Sequence, residues 1–168
     1  PTVTVTSTPT PTQTTPAPTT GRPKLIKHGW DIPRPAFVKK NIATMEQQPF
    51  DGFTVSLTDN LSSKVHSQTP VSYEQFKTAL APIASTTFTT LNHNFVMAYS
   101  SPAGDLFDDW TVPINNYANL ARAAREAGLE GVFFDIEEYF GAALRYPGNC
   151  GNGKTVAQCQ AQSQLRGR

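Results

Sequence analysis

The sequence predicts an α/β protein on a parallel sheet, preceded by a disordered Pro/Thr-rich linker. Three observations carry that reading. Apolar strand-like segments alternate four times with helical patterns after residue 23, and strands separated by helices run parallel through crossovers. The strand segments are apolar at both parities, as expected where helices cover a sheet. Charged and aromatic residues collect where those strands end, which is where β/α barrels build their sites.

The linker spans residues 1–23. From Pro1 to Thr20 nearly every residue is Thr, Pro, Ser or Val, with five prolines that fix φ and remove backbone donors. Such a tract stays extended and solvated. Tracts of this kind join modules of secreted and surface proteins, so an upstream module or a surface anchor is expected beyond it. No basic and apolar leader opens the chain, which predicts a start inside a longer protein.

From residue 24 to 168 the elements follow in order. Lys24 to Trp30 reads as a first strand, and Pro35 to Gln47 as a helix with Phe37, Ile42 and Met45 on one face. Phe50 to Leu57 is a second strand. Tyr73 to Ile83 carries Phe76, Leu80 and Ile83 at helical spacing. Asn94 to Ser100 is a third strand. Pro113 is expected to open a long helix through Tyr117, Leu120, Ala121 and Ala124, stopped by Gly128. Glu130 to Glu137 is a fourth strand, and Thr155 to Leu165 a last helix.

Two architectures fit this order. A doubly wound sheet fits the length, but the turn after the first strand, His28-Gly29-Trp30-Asp31-Ile32-Pro33, has no Gly-rich phosphate signature. The other is a parallel β/α barrel of TIM type, which takes about 250 residues when complete. The site-like residues at the strand ends favour the barrel, with only its first four β/α units, the N-terminal half, present here.

The formal net charge is +1, with no basic run, so the composition carries no nucleic-acid footprint. No apolar stretch approaches the ~20 residues of a membrane-spanning helix. Cys150 and Cys159 are nine apart in an otherwise Cys-free chain. Beside an extracellular-type linker they predict one short-loop disulfide and an extracellular or surface-attached location.

The chemistry is read from Gly131-Val132-Phe133-Phe134-Asp135-Ile136-Glu137-Glu138. Alternation along a strand puts Phe133, Asp135 and Glu137 on one face. Two carboxylates roughly 6.5 to 7 Å apart couple their ionisation where water is scarce. One then keeps its proton, as a general acid must, while its neighbour stays ionised. Glu137 is the expected acid, with Asp135 or Glu138 as its partner.

Asp135-Ile136-Glu137 resembles the ending of the strand-four motif of family-eighteen chitinases and the Asp-x-Glu of family-twenty-five lysozymes. Where the chitinase motif opens Asp-Gly this chain has Glu130-Gly131, and in place of its middle Asp stands Phe133. The resemblance implies Glu137 as the acid that protonates the glycosidic oxygen and Asp135 as the assisting carboxylate. A broader resemblance, carried by Gly29-Trp30-Asp31, Pro49-Phe50-Asp51-Gly52, Phe107-Asp108-Asp109-Trp110 and Phe134-Asp135-x-Glu137, is to secreted glycoside-hydrolase-like barrel proteins.

Trp30, Asp31, His66, Tyr99 and Trp110 are expected at the same rim as substrate-binding residues. Aromatic faces stack on sugar rings while Asp takes their hydroxyls. Trp30 and Trp110 are expected to act as a pair. Asp51 precedes the second strand and belongs to the opposite, stabilising end.

No cofactor is expected. Residues 148–155 match a phosphate-loop pattern in letters, but no strand leads into them. His28, His66 and His93 lack metal-ligand spacing. The expected activity is therefore carboxylate-catalysed glycoside hydrolysis, the alternative being a non-catalytic carbohydrate-binding barrel domain.

Overall fold

The computed structural model describes residues 21–99, 105–135, 150–151 and 153–166. Four strands, β1 (Ile26–Lys27), β2 (Gly52–Val55), β3 (Phe95–Tyr99) and β4 (Gly131–Asp135), form one sheet in the order β1-β2-β3-β4. Every pairing is parallel. Between them lie helices α1 (Pro35–Met45), α2 (Leu61–Lys64), α3 (Tyr73–Ala84) and α4 (Thr111–Glu126), and α5 (Val156–Arg166) follows β4. No described helix is long and apolar enough to cross a membrane.

The residues that pack the core share a single parity on each strand. Phe53, Val55 and Leu57, Val96 and Ala98, and Val132 join one cluster. Val38 of α1, Phe76, Leu80 and Ile83 of α3, and Leu120, Ala123 and Ala124 of α4 complete it. Because side chains alternate along a strand, α1, α3 and α4 all lie against the same face of the sheet. Full burial of one such large side chain stabilises by about 1.5–3 kcal/mol.

Local chemistry sets the boundaries. Ser72 and Gln75 close a capping box on α3, the Ser72 Oγ accepting from the Gln75 N–H at 3.3 Å and the Gln75 side chain accepting from the Ser72 N–H at 2.8 Å. Gly128, at φ +79°, ends α4 in the left-handed region that glycine tolerates. Gly52 permits a close crossing, since a Cβ there would lie 1.7 Å from the His93 carbonyl oxygen.

The structure corrects two expectations. Pro113 does not open α4, which begins at Thr111. The first four helical N–H groups have no intrahelical acceptor, so a proline is accommodated two residues in, while Asp109 Oδ1 accepts from the Thr111 N–H at 2.8 Å. The short helix α2 was not expected: one turn entered through Asn60 at φ 57° is too short to show periodicity.

The cysteines meet at the far end. Cys150 and Cys159 are paired with Cα atoms 5.7 Å apart, inside the range of disulfides. Further along α5, Arg166 donates to the carbonyls of Leu106 and Asp108 and lies over the Trp110 ring, fastening the helix to residues 105–110.

Candidate functional site

The face of the sheet turned away from the core carries the other parity, and its side chains are polar toward the carboxyl ends. Gly52 and Thr54, continued by Ser56 past β2, stand beside Phe95, Met97 and Tyr99 of β3, then Gly131, Phe133 and Asp135 of β4. Register pairs Tyr99 with Asp135 directly. The Tyr99 hydroxyl lies 3.4 Å from Ser56 Oγ, which also accepts from the Arg34 guanidinium at 2.8 Å. Arg34 donates to the Leu57 carbonyl as well. Arg34, Ser56 and Tyr99 are thus linked at the carboxyl ends of the strands, with Asp135 beside Tyr99.

One layer below, the His28 and Phe133 rings stack with centroids 4.7 Å apart. His28 follows β1, Phe133 is on β4, and two strands separate them. In a flat sheet those positions would be about 14 Å apart at the usual strand spacing. The sheet is therefore curled, with the face bearing Asp135 concave.

Beyond β4 the chain passes out of the described residues, so Glu137 and Glu138 lie outside them. Asp135 lies on the concave face. Tyr99 lies beside it.

The other expected site residues have different surroundings. Trp30 is 93% exposed and Asp31 is an exposed partner of Lys27, whose hydrogen bond, followed by its charge, holds the Asp31 carboxyl below its usual range. His66 is 5% exposed, and its ring meets Trp110, Tyr117 and Phe134 at centroid distances of 5.4, 5.9 and 5.8 Å. Phe134 is of the opposite parity to Asp135, so this cluster sits on the helix side. Neither ring nitrogen of His66 nor the Tyr117 hydroxyl has a hydrogen-bond partner among the described residues. Burial alone lowers the pKa of His66 and raises that of the Tyr117 phenol. Trp110 donates from Nε1 to the Asp105 carbonyl at 3.0 Å, and Trp30 shares no ring contact with it among the described residues.

A groove of about 560 Å³ lies between β1 and α1, lined by Lys27, Arg34, Phe37, Phe50 and Phe53 among others. It opens on the Lys27 and Phe53 parity, not on the face of Asp135.

At the amino end of the strands, Asp51 accepts a bidentate pair from Arg22, at 2.7 and 2.8 Å, and the Leu25 N–H at 2.8 Å. The Leu25 amide first, then Arg22, hold its carboxyl below its usual range.

Sequence reading missed His28, Thr54, Ser56 and Arg34 as members of the concave face. The available signal was the parity of Gly52, Thr54 and Ser56, small or polar residues at every second position of an otherwise apolar strand.

Fold and site together define a mixed α/β protein with an all-parallel sheet and polar groups at the strands' carboxyl ends. No family model, curated protein or solved structure matches this chain.

Proposed function

We propose that residues 24–168 are four β/α units of a TIM-type barrel, the N-terminal half of a secreted glycoside-hydrolase-like module. Sequential strand order, helices on one face and the inward curl support the barrel, since a doubly wound sheet breaks the sequential order and carries helices on both sides. The Thr/Pro tract and the paired cysteines support an extracellular location.

One observation carries the catalytic reading: Asp135 stands at the carboxyl end of β4 on the concave face, opposite the helix-packed core. Glu137, two residues on, is the proposed acid, with Asp135 or Glu138 as the partner carboxylate. The chemistry is protonation of a glycosidic oxygen while the ionised partner steadies positive charge or orients the attacking group. The substrate is a polysaccharide or glycan.

Trp30, with its flat ring open to solvent, favours a second reading, a non-catalytic carbohydrate-binding barrel domain of a surface protein. The two separate on a panel of polysaccharides and aryl glycosides offered to the full-length protein. Catalysis predicts turnover that falls about 10²- to 10⁴-fold in Glu137→Gln with an unchanged melting temperature. Saturable binding without turnover selects the binding domain.

A further inference from the structure

The chain's three histidines differ in surroundings. His93 is bonded to Glu130 at 2.6 Å, and His66 is enclosed by aromatic rings on the helix side. His28 is held at two points yet stays exposed on the concave face: its ring stacks on Phe133, and its Nδ1 lies 3.1 Å from Thr54 Oγ1.

Thr54 is fully buried, and among the described residues its hydroxyl has no other hydrogen-bond partner. A buried hydroxyl proton left unpaired is costly, so Thr54 donates to Nδ1. The neutral ring then carries its proton on Nε2, because one imidazole nitrogen donates when the other accepts. Nε2 has no partner among the described residues, and the stack on Phe133 fixes the plane in which it points. Fixing a ring in this way removes the orientational entropy that an exposed histidine otherwise loses on binding. Phe133 precedes Asp135 by two residues on the same strand face, so His28 stands one layer below the carboxylate.

We infer that His28 is a substrate-contacting residue of the concave site, its Nε2–H donating to a hydroxyl or ring oxygen of a bound sugar beside Asp135. The inference rests on the carbohydrate reading above and adds to it a group from β1. The ligand it fits presents an acceptor oxygen on a flat apolar face, as a pyranose does, with the Phe133 and His28 rings supplying the apolar side.

Histidine side-chain and backbone-amide NMR of the full chain tests this, with cello-, xylo-, malto- and chitohexaose as probes. A hexaose that moves the Asp135 amide is expected to move the His28 Nε2 resonance and to leave the His66 and His93 ring signals in place. His28→Ala should weaken that hexaose about three- to tenfold, the range of one neutral hydrogen bond, and should also lower the melting temperature, because it strips the buried Thr54 hydroxyl of its partner. The double variant His28→Ala/Thr54→Val should recover the melting temperature and keep the weakened binding. Thr54→Val should shift the His28 ring toward the other tautomer, visible in its two nitrogen shifts, and weaken the same probe. A hexaose that moves Asp135 while His28 stays silent, and that His28→Ala binds like the parent, overturns the assignment and leaves the carbohydrate reading standing. Failure of every hexaose to perturb the concave face overturns both.

Discussion

The two faces of the sheet are made by the same strands and have opposite characters. On the helix side, Phe53, Val55, Leu57, Val96 and Ala98 meet α1, α3 and α4 in a buried apolar core. On the concave side, Thr54, Ser56, Tyr99 and Asp135 meet Arg34 and His28. One residue of offset separates a surface that holds the fold from one lined by polar groups at the strands' carboxyl ends. Polar groups are costly to bury without partners, and the buried Thr54 and Ser56 hydroxyls have theirs in His28 and Arg34.

The largest break of this contrast is expected on the helix side. Phe76→Ala, at a fully buried position of α3, should cost about 3–5 kcal/mol in denaturant unfolding. A loss below 1 kcal/mol would mean that the core is not where the helices meet the sheet.

Next in size is the anchorage of α5, whose one buried residue is Cys159. Cys150→Ser should remove about 2–3 kcal/mol from the local stability of α5, read as faster amide exchange in 156–166. Unchanged exchange would show that Arg166 and the 105–110 segment suffice.

His66 offers a pH test of the helix side. Its folded pKa is lowered by burial, so the unfolded chain binds the proton first. Stability from the neutral ring is complete above about pH 6.5 and falls as pH drops from there toward the lower folded value. The slope is at most about 1.4 kcal/mol per pH unit for one proton. Melting temperatures between pH 7.5 and 5 should fall in the parent and fall less in His66→Phe; parallel curves would contradict the enclosure.

The smallest stability effect is expected on the concave side. Tyr99→Phe removes one hydroxyl with a 3.4 Å contact to Ser56 and should cost less than about 1 kcal/mol, while changing ligand binding more than melting.

Much of this contrast is visible in the sequence, for physical reasons that also set its limits. Strand type and order follow from local patterns, and the parity of Phe133 and Asp135 is fixed by alternation alone. The amino-end position of Asp51 also follows from chain order. What brings His28 onto Phe133, or His66 between Trp110 and Phe134, is the approach of strands and helices far apart in sequence, which no local pattern encodes. Thr54 and Ser56 read as two polar interruptions of an apolar strand until neighbouring strands define their face. Trp30 and Trp110 share a residue type, but one is in solvent and the other meets the His66 ring edge-on and lies under Arg166. That difference is tertiary.

The most direct test of the concave face as a glycosidase site is the hydrolysis rate of the full-length protein on its best polysaccharide, compared between parent and Glu137→Gln at equal folded fraction. A glycosidase site with Glu137 as its acid should show a drop of about a hundredfold or more. Equal rates in the two proteins would contradict it.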